Sequence, residues 1–143
     1  MQLRHLCSVV PAGGPTIGSS SSKISAVCFS PNHRKLAICG NDRVVRLFDE
    51  QGELADKFST KPADKKSKTY VIRAMHFSPD SLKLAIAQSD DIVFVYKLGL
   101  EWGDKKSICN KFVQGSSVTA LAWPPTRLNE VMYVCGFVCL FVC

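Results

Sequence analysis

Two stretches of this chain are copies of one another. Residues 24–48 read ISAVCFSPNHRKLAICGNDRVVRLF and residues 72–96 read IRAMHFSPDSLKLAIAQSDDIVFVY, and they align without a gap when Ile24 is set against Ile72, an offset of 48. They share Phe-Ser-Pro (Phe29 and Pro31, Phe77 and Pro79), Lys-Leu-Ala-Ile, an Asp at Asp42 and Asp90, and a closing aromatic, Phe48 and Tyr96. A third copy opens at Val118, where VTALAWPP aligns with residues 72–79 at an offset of 46 and puts Trp123 opposite Phe77. Self-similarity at such a period marks a supersecondary unit that buries its apolar face by stacking on its neighbours.

Each copy breaks into strand-length pieces. The first gives 24–29, 36–39, 44–48 and 53–58; the second gives 70–77, 84–88, 92–97 and 107–112. Turn chemistry bounds them: Pro31 and Pro79 have no amide hydrogen for a ladder and fix their own φ, while Gly40-Asn41-Asp42 and Ser89-Asp90-Asp91 suit tight hairpins. Four short strands joined by hairpins form an antiparallel sheet. Repeats of about 40–45 residues with four strands each build WD40-type propeller blades. The expected fold is therefore all-β: a partial WD40-type β-propeller with two full four-stranded antiparallel blades and the start of a third.

The expected organisation is an N-terminal segment with a Pro/Gly/Ser-rich loop over 1–23, the first blade over 24–60 and a basic loop over 61–69. The second blade follows over 70–113, the start of the third over 114–124, and a divergent apolar Cys- and Val-rich tail over 125–143. Within the blades the repeated residues take structural jobs. Ala26 and Ala74 suit a crowded inner rim; Phe29, Phe77 and Trp123 suit packing between blades; Asp42 and Asp90 are expected to hold the hairpin between second and third strands. Phe48 and Tyr96 stand where many WD40 repeats carry Trp, and neither copy has the Gly-His or Trp-Asp pair. The blades are divergent ones.

The totals bound the function. With 46% hydrophobic and 21% charged residues the chain is globular in balance. Its net charge of +6 is spread out, and the lysines at 61, 65, 66 and 68 lack aromatic or glycine-rich company, so they read as a solvated loop. No specific nucleic-acid partner is expected. The apolar run before Pro11 is too short for a signal peptide, and that over 131–143 too short for a membrane helix, so no transmembrane segment is expected.

No catalytic, metal or cofactor constellation emerges. His5, His33 and His76 stand on different pieces, and His76 is matched by Cys28 and Ala122 in the other copies, as at a tolerant strand position. Cys28 and Cys39 fall in core strands and pack as small hydrophobes. Cys135, Cys139 and Cys143 would align on a helix, but without a fourth ligand nearby they are not read as a zinc site. The protein is expected not to be an enzyme.

The runs DRVVRLFDEQGELADKFSTKPADK (42–65), FSPDSLKLAIAQSDDIVFVYKLG (77–99), EWGDKKSICNKF (101–112) and VTALAWP (118–124) resemble the N-terminus of the intraflagellar transport protein 172 family. The loop and edge pieces DKFSTKPAD and EWGDKKSICNKF carry the resemblance, because packing alone does not dictate them. It implies the N-terminal propeller of a large WD40 and helical-repeat scaffold of intraflagellar transport complex B, acting in cilium assembly and maintenance. The implied partners are other complex B subunits and cargo, and the implied place is the cilium and cytoplasm, at the ciliary base and axoneme. From Pro125 the chain leaves the family pattern. The expectation is a truncated N-terminal fragment whose Val/Cys tail is read from non-coding sequence, marginally stable because an incomplete ring leaves a sheet edge free. The alternatives are a non-functional truncated product, or a basic fragment that associates weakly with membrane or nucleic acid.

Overall fold

The computed structural model describes residues 23–64, 69–128, 131–135 and 138–142, the last two segments as backbone strands only. The expected N-terminal loop and the core of the basic loop, residues 65–68, lie outside these. Eleven described strands run in order: β1 (Ile24–Phe29), β2 (Leu36–Gly40), β3 (Val44–Phe48), β4 (Leu54–Ser59), β5 (Ile72–Phe77), β6 (Lys83–Gln88), β7 (Ile92–Lys97), β8 (Ser107–Val113), β9 (Val118–Ala122), β10 (Val131–Cys135) and β11 (Val138–Val142). They form three antiparallel sheets, ordered β1-β2-β3-β4, β5-β6-β7-β8 and β11-β10-β9. The two full blades are the two halves of the duplication. Even their irregularities repeat, since the register slips at Ile24/Ala26 in one and at Ile72/Ala74 in the other.

The third sheet goes further than the sequence pattern. Where a divergent tail is expected, β10 pairs with β9 through Tyr133↔Leu121 and with β11 through Val134↔Cys139. Cys135 and Cys139 therefore lie on neighbouring strands and not on one helix; Cys143 lies outside the described residues. Alternating Val and Cys is β-branched and small, a composition that strands accept regardless of its origin.

Strand parity sets the packing. Successive side chains point to opposite faces, so Leu84, Ile86, Ile92, Phe94 and Tyr96 meet Ala37, Cys39, Val45 and Leu47 of the first blade in one core. The alternate residues Ala85, Ala87, Val93 and Val95 face the third sheet, where they meet Val118 and Trp123. Each first strand lies beside the next, β1 against β5 and β5 against β9. The three aligned aromatics then diverge by neighbour alone: Phe77 is 1% exposed and Trp123 5%, each pressed on the preceding blade, while Phe29 is 68% exposed. Burying a Phe side chain contributes about 2–3 kcal/mol, so position 77 gains what position 29 does not.

Between β1 and β2, and again between β5 and β6, a buried serine organises the turn. The Ser30 hydroxyl donates to Asn32 (2.7 Å) and accepts the Lys35 amide (2.9 Å); Ser78 donates to Asp80 and accepts the Lys83 amide (2.9 Å). His33 and Ser81 take the left-handed conformation that closes each turn, at φ 61° and 62°. The two turns also touch, through the Asn32 amide and the Ser81 hydroxyl (3.2 Å).

Candidate protein-interaction surface

Antiparallel order puts the β2–β3 and β6–β7 hairpins and the linker between β4 and β5 on one rim. There the linker is pinned across the second blade by side chains, two of which, Tyr96 and Asp90, are repeat positions in the sequence. The Tyr96 hydroxyl accepts the Lys61 amide (3.0 Å), Gln88 donates through Nε2 to the Lys61 carbonyl (2.9 Å), and Asp90 accepts the Ala63 amide (3.1 Å). Lys111 donates to the Ala63 carbonyl (2.7 Å). Gln88 Oε1 and Asp90 Oδ1 are buried without a hydrogen-bond partner, so each side chain spends one polar atom on the linker and leaves the other unused.

Asp42 and Asp90, equivalent in sequence, thus do different work. Asp42 organises its own hairpin, accepting the Val44 amide (3.2 Å) and an Arg46 N–H (2.6 Å). The Arg46 hydrogen bond holds its carboxyl below the ordinary range. Asp90 reaches across to the preceding blade's linker instead. No signal in a single copy separates these roles; the difference comes from Arg46, which Phe94 replaces in the second copy.

On the same rim a groove of about 470 Å³ opens between the blades, lined by Asn41, Arg43, Thr69, Tyr70, Val71 and Ser89. Its floor is tied down, for the Ser89 amide donates to the Val71 carbonyl (2.9 Å) and the Val71 amide to the Ser89 hydroxyl (3.0 Å). The sequence pattern predicts turns at Gly40-Asn41-Asp42 and Ser89-Asp90-Asp91, and no motif marks a groove residue as functional. Their convergence depends on blade packing.

The other marked positions are architectural. Phe48 and Tyr96 are buried; Tyr96 stacks obliquely on Phe58 at 5.1 Å and edge-on to Phe94 at 6.1 Å. Burial pushes the Tyr96 hydroxyl up to about 12. Pro31 is exposed and Pro79 half-buried, each directly after its turn serine. Trp123 donates through Nε1 to the Arg127 carbonyl (2.8 Å). Among the described residues no three His, Cys, Asp or Glu side chains converge as metal ligands, and no helix is long and apolar enough to cross a membrane.

Comparison with known proteins agrees with this architecture. The WD domain, G-beta repeat family matches residues 15–49. The chain is 57% identical over 126 residues to the intraflagellar transport protein 172 homolog of Danio rerio and 52% identical over 126 residues to that of Homo sapiens, in each case 87% of this chain and 7% of the relative. To intraflagellar transport protein 172 of Chlamydomonas reinhardtii it is 51% identical over 139 residues, 93% of this chain and 8% of the relative, a share too long to end at Pro124. The chain spans less than a tenth of the length of these relatives. By sequence and by blade architecture, the chain belongs with the intraflagellar transport protein 172 family and forms part of a WD40-type propeller.

Proposed function

We propose that the chain is a non-enzymatic protein-interaction scaffold, the N-terminal propeller part of an intraflagellar transport complex B subunit, working in cilium assembly and maintenance. The observation that carries this reading is the identity of 51–57% over nearly the whole chain. The blades supply rigid sheets with two rims of turns, the usual platform for protein partners. Other complex B subunits and cargo are the proposed partners, and the cilium, with its base and axoneme, the proposed place.

The test is to express the tagged chain in ciliated cells, purify it under mild conditions and identify what accompanies it, with imaging of the same tag. Enrichment of intraflagellar transport proteins and signal at the ciliary base are expected. A chain that is folded and abundant yet neither enriches them nor leaves the bulk cytoplasm overturns the proposal.

A further inference from the structure

The first strand of each sheet brings the same three apolar positions to one face, and two of the three sets are covered. Ile72, Met75 and Phe77 of β5 are 2%, 5% and 1% exposed. At β9, Val118 and Trp123 are buried and Leu121 is half-buried. In β1 the matching Ile24, Val27 and Phe29 are 56%, 57% and 68% exposed. Across the same face, in register with Val27 and Phe29, Ile38 and Phe48 are already buried, so the open patch is a strip along β1.

The covered strips show what fits such a strip. Met75 and Phe77 pack with Ala37 and Cys39 of the first blade and with its half-buried Ala26 and Cys28. Val118 and Trp123 pack with Ala85 and Ala87 of the second blade, where Ala74 is half-buried in the contact. The counterpart is in each case the small-residue face of the adjoining blade. Ala120 and Ala122 of β9 occupy the positions of Ala74 and His76 in the repeat, on that same small-residue face, and both are exposed. The chain thus has an open apolar strip at one end of its stack of sheets. At the other it has an open face of the kind that covers one. The exposure at both ends shows that a single copy does not join them.

We infer that the β1 strip of Ile24, Val27 and Phe29 docks on the Ala120 and Ala122 face of β9 in a second copy of the chain. The contact repeats between molecules the one that the blades make within a molecule. It is heterologous, using two different surfaces and leaving one of each open, so it can propagate beyond a pair. None of these five side chains is charged, and the association is expected to persist at high salt. One strand on each side makes a small interface, for which a Kd of about 10–100 µM is expected, with single copies at about 1 µM. The inference goes beyond the scaffold reading and does not rest on it.

Sedimentation of the full chain from about 1 to about 200 µM, at low and at high salt, tests it. The average mass should rise with concentration at both salts. F29E, with V27E as a second version, and A122E, with A120E as a second version, each put a charge on an exposed side chain, and circular dichroism identifies the versions that fold. Each alone should weaken association at least about 10-fold, because the contact would bury an unpaired charge. F29E keeps the small-residue face and A122E keeps the strip, so an equal mixture of the two should form a one-to-one dimer and stop there. L100E alters an apolar side chain as exposed as these, at 74%, but off both surfaces, and should leave the association unchanged. A wild-type chain that stays single at the highest concentration overturns the inference. So does a mixture that does not pair, a loss in F29E without one in A122E, or an equal loss in L100E. None of these outcomes bears on the co-purification result, which tests the scaffold reading separately.

Discussion

Asp56 of β4 and Lys106, one residue ahead of β8, form an ion pair across the boundary between two blades, with side chains only 14% and 8% exposed. The loop that brings Lys106 there is stitched from within. The Asp104 carboxylate accepts the Leu100 and Glu101 amides (3.1 Å each), and Lys106 also donates to the Asp104 carbonyl (2.6 Å). Gly103 donates its amide to Asp56 (2.9 Å), and Lys35 of the first blade sits 5.1 Å from the centre of the Trp102 ring. The EWGDKK run is thus a clamp on the preceding blade.

Removing one partner of that pair strands the other. Asp56→Asn and Lys106→Met should each cost about 2–3 kcal/mol, below the full buried-pair range because both groups keep some solvent. The double variant should cost less than the sum, a coupling that a double-mutant cycle in urea measures.

The pair also sets an acid limit. Burial pushes the Asp56 carboxyl up, but the hydrogen bond from Lys106 and the amides of Gly103 and Lys57 outweigh it and hold the carboxyl below the ordinary range. A carboxyl depressed in the folded state contributes stability above its unfolded value of about 4, and that contribution is lost as the pH falls through the folded value. Wild type should therefore lose more stability between pH 5 and pH 3 than Asp56→Asn does, and parallel urea midpoints across that range check it.

The aligned aromatics offer a test of neighbour-dependent burial. Phe77→Ala should cost about 3–5 kcal/mol and Phe29→Ala under about 0.5 kcal/mol, although the two residues occupy the same place in the repeat. Equal losses in chemical denaturation would contradict the packing described for the first two blades.

The turn serines should be worth more than their size. Ser78→Ala leaves the Lys83 amide without its hydroxyl acceptor at a buried site, and a cost of about 1–2 kcal/mol is expected. Ser78→Thr, which restores an acceptor, should recover part of it, and thermal melts of the three proteins decide the order.

Thiol chemistry should follow burial. Burial pushes Cys28 up to about 12 and, with Asp42 adding to it, Cys39 up to about 11, so neither carries appreciable thiolate at pH 8. Cys109 is exposed, its thiol donating to the Val95 carbonyl (3.2 Å). Timed iodoacetamide labelling with peptide mapping should modify Cys109 well before Cys28 or Cys39.

What could be read from the residues was what repeats. Ile24 to Phe48 and its copy set strand count, antiparallel order and turn positions to within a residue or two, because alternation and turn chemistry are local. β5 starts at Ile72 and not Tyr70 because Tyr70 turns its ring into the linker core. The partnership of Asp56 with Lys106, the reach of Asp90 to Ala63 and the contact of Arg43 with Tyr70 each join residues 27 to 50 positions apart, in different blades or in a blade and the linker. No local pattern carries those. β10 and β11 were not legible because the chain after Pro125 no longer matches the residues of the first two copies, although its composition is one that strands tolerate.

Arg43 and Asp91 hold the same left-handed bend, at φ 60° and 61°, in hairpins of the same shape. The bend asks for a backbone conformation and says nothing about charge. Neighbouring blades can therefore carry opposite signs at one address on the rim, so the surface can be rewritten residue by residue while the sheets beneath it stay as they are.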